Sequence, residues 1–114
     1  MVHHSELIIT PITQPLTDVS GRRLQRAFEA HVAGGRLAHA LDLRPLSEVD
    51  STTLAGLIRA LRAVRYVGGF IAVIAEHPNI RKVFSITGLD RIFPVYSNEA
   101  EAQAAMAPTY RISA

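Results

Sequence analysis

Hydrophobic side chains recur at the three- and four-residue spacing of an amphipathic helix in three stretches of the chain. The three apolar stripes are Leu24, Ala27, Phe28, His31 and Val32, then Leu54, Leu57, Ile58, Leu61 and Val64, and then Ile80, Val83, Phe84 and Ile86. Glycine follows each stripe, at positions 34–35, 68–69 and 88, and glycine readily adopts the left-handed conformation that ends a helix. A fourth helix is predicted after Ser97, whose hydroxyl can cap it, because Glu99 and Glu101 then lie in its first turn.

Four shorter segments have the composition of β-strands. Residues 37–43 and 70–75 are nearly continuous apolar runs, as expected of strands that are covered on both faces. Residues 7–10 are rich in β-formers, but Pro11 and Pro15 confine the next segment to a sheet edge or an irregular path, because proline cannot donate to a ladder. Residues 92–96 form a short extended segment. Strands therefore alternate with helices, and this alternation predicts an α/β fold with a largely parallel sheet.

The length and composition are those of one globular domain. At 114 residues the chain is long enough to bury its own core. It has no cysteine, which excludes disulfides, thiol catalysis and cysteine-based zinc sites. The first residues have neither the basic start nor the apolar run of a signal peptide, and the longest apolar run, 70–75, is far too short to span a membrane. We therefore expect a soluble, cytoplasmic protein that does not insert into membranes.

Arginine supplies eleven of the twelve basic residues, although the net charge is only +2. Six of the arginines cluster in the first two helical stretches, namely Arg22, Arg23, Arg26, Arg59, Arg62 and Arg65. Such clusters can form a basic surface for an acidic partner or for nucleic acid. Solvated helix faces are the simpler interpretation. We expect no nucleic-acid binding, because aromatic residues are few and are not interleaved with these arginines.

The chain has no recognisable catalytic or metal-binding motif. None of the five histidines has a second ligand at metal spacing, and no Ser-His-Asp order, P-loop or Gly-x-Gly-x-x-Gly sequence is present. Asp42, at the end of a predicted strand, is best interpreted as a structural carboxylate. We therefore expect neither enzyme activity nor a bound metal or cofactor.

A hydroxyl-rich segment, Asp50-Ser51-Thr52-Thr53, joins the strand at 37–43 to the second helix. The simplest interpretation is a helix cap and nothing more. The first turn of a helix, however, has four backbone N–H groups without intrahelical partners and the positive end of the dipole. A phosphate on a hydroxyl there would be stabilised. The segment is therefore also a candidate phosphorylation site.

Three blocks of the sequence resemble the STAS domain, the fold of bacterial anti-sigma factor antagonists. The blocks are ALDL at 40–43, VDSTTLAGL at 49–57 and ITGLDRIF at 86–93. The second block corresponds to the family's Asp-Ser-Ser-Gly-Leu phosphorylation motif, and the third to its Thr-Gly-Leu-Asp. The resemblance implies an α/β fold with a mixed, mostly parallel sheet of four to five strands and about four α-helices. The domain is expected at 6–107, with loosely ordered termini at 1–5 and 108–114.

The resemblance also implies a regulatory protein that is not itself an enzyme. An antagonist of this family binds an anti-sigma factor of the serine/threonine kinase class, is phosphorylated by it with the kinase's ATP, and is restored by a protein phosphatase. The phosphoacceptor corresponds to Thr52, with Ser51 as the alternative. The residues that the resemblance implies for partner binding are Asp50, Ser51, Thr52, Thr53, Ala55, Gly56, Thr17 and Asp18.

Two positions depart from the family pattern. Thr53 stands where the family has glycine, and we expect it to place a β-branched side chain where a partner approaches closely. Upstream, the segment Gln14-Pro15-Leu16-Thr17 aligns with the family's Gly-Glu-Leu-Asp. Thr17 therefore replaces an acid, although Asp18 is adjacent.

Two other functions are compatible with the same sequence. One is a soluble STAS subunit of a membrane lipid ABC transporter, whose partner is the transporter's ATPase and in which the domain is not phosphorylated. The other is a non-phosphorylated scaffold in a multiprotein stress-sensing complex. A homodimer is compatible with each of them, and the partner and the sigma factor are left open by the sequence.

Overall fold

The computed structural model describes the backbone of residues 6–112 and the side chains of residues 6–106. The elements in chain order are β1 (Ile8–Pro11), α1 (Asp18–Ala33), β2 (Ala38–Asp42), α2 (Ser51–Arg65), β3 (Phe70–Ile74), α3 (Pro78–Ile86), a 3-10 turn (Leu89–Arg91), β4 (Val95–Tyr96) and α4 (Glu99–Ile112). The predicted α/β alternation and the four helices are confirmed. Residues 1–5 and 113–114 lie outside the described part, and the domain limits of 6–107 stay a prediction.

The four strands form one sheet in the order β1-β2-β3-β4, and all three pairings are parallel. A mixed, mostly parallel sheet was expected, and the sheet that the described residues form is parallel throughout. The carboxyl ends of parallel strands lie along one edge of a sheet, and the loops that lead into α2 and α3 leave from that edge. The hydroxyl-rich segment at the start of α2 is therefore placed where open α/β sheets expose their binding surfaces.

Alternating side chains of the central strands serve two hydrophobic clusters. One cluster contains Leu41 and Val73 of the sheet and is covered by α1, α2 and α3, with Phe28, Leu61 and Phe84 at its centre. The other contains Ala40, Ala72 and Ile74, and Ala102 and Met106 of α4 cover it. Helix α4 thus packs on one face of the sheet and the other helices pack on the opposite face. This arrangement explains why residues 38–42 are all buried, as predicted for a strand covered on both sides.

Three local predictions are wrong. Ala27 was placed in the apolar stripe of α1 but is exposed. Asn98, not Ser97, caps α4, because the Asn98 side-chain oxygen accepts a hydrogen bond from the Glu101 N–H at 2.9 Å, while Ser97 donates its own N–H to the Glu101 carboxylate at 2.8 Å. Ile86 was placed in the apolar stripe of α3 but is 72% exposed. It lies six residues after Ile80, and this spacing points away from the buried side of a helix.

No helix within residues 6–112 is long and apolar enough to cross a membrane.

Candidate partner-binding site at the start of α2

Asp50 starts α2 as its N-cap. Its backbone is extended, its Oδ1 accepts a hydrogen bond from the Thr53 N–H at 2.7 Å, and its carbonyl accepts from the Leu54 N–H at 2.9 Å. Two hydrogen bonds from Thr53 stabilise the charged carboxylate and lower the pKa of Asp50 below its ordinary value of 3.8. The bond from the Thr53 side chain contributes most, and the bond from the Thr53 backbone N–H is the next largest contribution. The cap fixes the start of α2 at Ser51, and the helical geometry from there sets the orientation of the side chains of Ser51, Thr52 and Thr53.

The three hydroxyl residues that follow have different environments. Ser51 and Thr52 are exposed, whereas Thr53 is fully buried, with 0% of its surface accessible. The Thr53 Oγ1 accepts a hydrogen bond from the backbone N–H of Leu16 at 2.9 Å. Only Ser51 and Thr52 of this segment therefore present a hydroxyl to a partner.

The Leu16–Thr53 hydrogen bond brings the start of α1 to the start of α2. Thr17 caps α1, since its Oγ1 accepts from the Ser20 N–H at 3.1 Å and the Ser20 hydroxyl accepts from the Thr17 N–H at 2.8 Å. Thr17, and not the adjacent Asp18, is therefore the N-cap of α1. Two helix N-termini, each with the positive end of a dipole, thus lie beside the exposed hydroxyls.

A pair of glycines allows the two helices to approach closely at this point. A methyl group added at Gly56 would lie 2.8 Å from the Leu16 Cδ1 and 3.2 Å from the Gly21 Cα. A shift of the flexible Leu16 side chain could relieve the first contact, but the second is with backbone and is tighter than ordinary packing, so glycine at position 56 favours the close approach of α1 and α2. Gly56 is therefore part of what holds the β1–α1 loop against α2.

Of the residues predicted to bind a partner, six are exposed at this corner of the molecule. They are Thr17, Asp18, Asp50, Ser51, Thr52 and Ala55. Thr53 and Gly56 are buried, so they do not add side-chain surface in this conformation. The bulk that Thr53 was expected to place in a partner's path points into the protein instead, and its hydroxyl holds Leu16.

A neighbouring apolar surface was not anticipated from the sequence. A groove of about 380 Å³ separates the loop before α2 from α3 and is lined by Glu48, Val49, Asn79, Lys82, Val83, Ile86 and Thr87. The exposed Ile86 lies on its rim. The sequence does contain one indication of this surface. Ile86 is a large apolar residue that lies off the buried side of α3, and it begins the ITGLDRIF block.

Asp42, at the carboxyl end of β2, is held by Arg44. The Arg44 Nε and Nη2 lie 2.9 Å from the two carboxylate oxygens, and the Arg44 N–H donates to Oδ1 at 3.0 Å. Arg44 also reaches Glu99 at the start of α4, at 3.4 Å. The hydrogen bond from the Arg44 side chain lowers the pKa of Asp42 and raises the pKa of Arg44. All these contacts are internal, which fits the structural role predicted for Asp42.

Acid should destabilise the fold through these carboxylates. The pKa values of Asp42 and Asp50 are lowered in the folded state, so the unfolded chain binds more protons near and below their ordinary value of 3.8. We expect the free energy of unfolding to be steady above about pH 5 and to fall as the pH drops below about 4. Urea titrations at several pH values measure this. Asp42→Asn should flatten the fall, and Asp18→Asn, which removes an exposed carboxylate, is the control; equal slopes in Asp42→Asn and in the unmodified protein would contradict the assignment.

The three histidines that the structure describes, His31, His39 and His77, do not assemble into a site. His39 is buried in β2, its Nε2 lies 2.8 Å from the Arg36 carbonyl, and its ring packs against those of Phe28 and His31. Burial lowers the pKa of His39, which therefore favours the neutral form. Among the side chains that the structure describes, no three histidine or acidic residues converge in a way that could hold a metal ion.

A family model and several curated relatives match this chain. The family model of the STAS domain matches residues 1–102. A candidate anti-sigma factor antagonist of Thermotoga neapolitana is 37% identical over 62 residues, which are 54% of this chain and 55% of that protein. The chain thus spans about half the length of the first curated relatives it matches. The anti-sigma F factor antagonist of Paenibacillus polymyxa is 24% identical over 90% of this chain and 88% of its own.

The fold has a close structural counterpart. The crystal structure of a candidate anti-sigma factor antagonist from Thermotoga maritima superposes with a TM-score of 0.77, covering 89% of this chain and 87% of the other at 24% sequence identity. The likeness at this identity concerns the fold. It shows that the helices and strands described above, and therefore the position of the start of α2 in the fold, are those of a known architecture.

Proposed function

The chain belongs to the STAS-domain family, and we propose that it is an anti-sigma factor antagonist controlled by phosphorylation of Thr52. Its partner is an anti-sigma factor of the serine/threonine kinase class, and a protein phosphatase reverses the modification. The chain acts as a binding module, and ATP is the partner's substrate. The names of its relatives support the first part of this proposal. The geometry at the start of α2 supports the second.

One observation carries the proposal for the switch. Thr52 is exposed in the first turn of α2, between an acidic N-cap and a buried Thr53. Its hydroxyl is open to a kinase, whereas the Thr53 hydroxyl is inaccessible and already accepts a hydrogen bond. Ser51 is also exposed and stays the alternative acceptor.

Phosphorylation at Thr52 is compatible with the fold. In the transfer, the Thr52 Oγ1 attacks the γ-phosphorus of ATP, the bond to the β–γ bridging oxygen breaks, ADP leaves and the hydroxyl proton is released. The resulting dianion lies at the N-terminus of α2, where free N–H groups and the dipole stabilise negative charge. The modified helix therefore stays folded, and the change acts on the partner.

The partner is the component that the phosphate excludes. The unmodified surface combines small exposed residues at the start of α2, the acidic Asp18 and Asp50, and the apolar groove at Val49 and Ile86. A neutral hydroxyl can be buried against a partner at moderate cost. A phosphate dianion adds a large desolvation cost and repels acidic groups of the partner. Dissociation of the complex on phosphorylation follows from this difference.

Capture from native cell lysate tests the function. The tagged full chain is compared with Thr52→Ala and Thr52→Glu, and the retained proteins are identified by mass spectrometry. We expect the unmodified chain and Thr52→Ala to retain an anti-sigma factor with a kinase domain, and Thr52→Glu to lose it. Retention of a membrane-transport ATPase by all three forms would overturn the proposal in favour of a transporter subunit. Retention of a large complex by all three forms, without a kinase, would overturn it in favour of a scaffold.

A further inference from the structure

Four arginines line one groove between α1 and α2. They are Arg22 and Arg26 of α1 and Arg59 and Arg62 of α2, and we call this surface the arginine groove. It consists of two adjoining cavities of about 490 and 450 Å³, which share Gln25, Glu29 and Arg59. It is separate from the exposed hydroxyls, although Asp18 lies at its upper end.

The positive charge of the arginine groove is not neutralised within the described part of the chain. The ion pairs among the described residues are those that Arg44 makes with Asp42 and Glu99. The four guanidinium groups of the groove face only two carboxylates, those of Asp18 and Glu29, and Glu29 accepts a hydrogen bond from Gln25. Like charges on adjacent helical turns repel each other. An anionic occupant would relieve this repulsion.

The lower end of the groove is apolar. Val32, Ala63, Tyr66 and Val67 line it, and Tyr66 is 91% exposed while Val67 is 46% exposed. Exposed aromatic and aliphatic side chains beside arginines are typical of protein-binding surfaces. An occupant that fits both ends has carboxylates along most of its length and apolar side chains at one end.

These features favour a protein segment over nucleic acid. A chain of phosphates would carry charge along its whole length, including past the apolar end of the groove, and a single aromatic ring, that of Tyr66, lines the groove for base stacking. Arginine forks suit carboxylates, which they can bind in bidentate fashion. Along α1 the groove extends from Asp18 to Val32, about 20 Å at the helical rise, which corresponds to about four turns of a partner helix.

We propose that the arginine groove binds an acidic, amphipathic helical segment of a protein partner. Carboxylates spaced one turn apart along the segment pair with the arginines, and its apolar end packs on Tyr66 and Val67. The proposal goes beyond the phosphorylation switch and does not depend on it. An acidic ligand would explain why α1 and α2, which are far apart in the sequence, both place arginines along the same groove.

The test uses a synthetic peptide of about 15 residues, with glutamate every three or four residues and leucine and tryptophan near one end. The full-length protein is titrated while backbone amide shifts are followed by NMR. We expect saturable shifts at groove residues and weaker binding at higher salt. An absence of shifts at the groove, or equal binding of the same peptide with glutamine in place of glutamate, would overturn the proposal. Tighter binding of a single-stranded oligonucleotide of equal charge at the same residues would also overturn it.

Matched charge reversals localise the binding. Arg26→Glu/Arg62→Glu changes one exposed groove residue on each helix, and Arg23→Glu/Arg65→Glu makes the same charge change at exposed positions outside the groove lining. We expect the first pair to weaken peptide binding at least about 10-fold and the second at most about 3-fold, since the direct ion pairs are lost only in the first. A peptide with lysine in place of glutamate should bind the first variant better than the unmodified protein. Equal losses in both variants, or no gain with the lysine peptide, would contradict the assignment.

Discussion

Replacing Thr53 with valine should lower the free energy of unfolding by about 2 kcal/mol. Valine has nearly the same shape as threonine, but it removes the hydroxyl that accepts the Leu16 N–H at 2.9 Å and that hydrogen-bonds the Asp50 carboxylate. The side chain is fully buried, so water cannot readily replace the lost acceptor. The variant therefore leaves a backbone N–H without a partner and frees the loop that precedes α1.

Thr53→Ser is the matched control, because it keeps the hydroxyl and loses only a methyl group. Urea denaturation measures stability, and hydrogen exchange at the Leu16 amide reports on the hydrogen bond itself. We expect faster exchange at Leu16 in Thr53→Val and near-normal protection in Thr53→Ser. Unchanged protection in the valine variant would show that the bond does not hold the loop.

Thr52→Glu should weaken binding of the purified anti-sigma factor at least about 100-fold, which corresponds to about 2.7 kcal/mol. Thr52 is exposed in the first turn of α2, so a carboxylate there is stabilised by the helix dipole and the fold is unaffected. The whole loss then comes from charge placed in the interface. Thermal melting should therefore show a transition at or slightly above that of the unmodified protein.

The neighbouring Ser51 provides the control for this charge effect. Ser51→Glu adds the same charge one residue earlier, where the side chain is also exposed, and calorimetric titration of each variant gives the affinity. We expect a smaller loss for Ser51→Glu than for Thr52→Glu, and near-normal binding for Thr52→Ala. The reverse order would make Ser51 the central residue of the interface, and equal affinities for all variants would exclude the start of α2 from it.

Most of the fold could be predicted from the periodicity of the sequence. Helical stripes that end at glycine and short apolar runs between them are local signals, and they gave the α/β alternation and the buried strand that ends at Asp42 correctly. The cap of α4 was misplaced by one residue because Ser97 and Asn98 are both good caps, and the choice between them depends on which one the Glu101 N–H reaches. Spacing alone does not contain that geometry.

The sequence motif indicates a candidate site, which stays a prediction, but it does not contain the local geometry. The motif indicated the start of α2, whereas the burial of Thr53 depends on a loop that is 37 residues away in sequence. The exposure of Ile86 follows from its spacing of six residues from Ile80, which the sequence contains but the assignment of the apolar stripe overlooked. The grouping of two arginine clusters in one groove likewise requires the α1–α2 contact, which the glycines at 21 and 56 make possible.

Mapping the phosphate tests the proposed switch at Thr52. The protein is incubated with the captured anti-sigma factor and ATP, and the modified residue is identified by peptide mass spectrometry, with Thr52→Ala treated in parallel. We expect one phosphate, on Thr52, that is absent from Thr52→Ala and whose formation releases the partner. A phosphate on another residue with Thr52 unmodified, or a stable complex with no phosphate transferred, would contradict it.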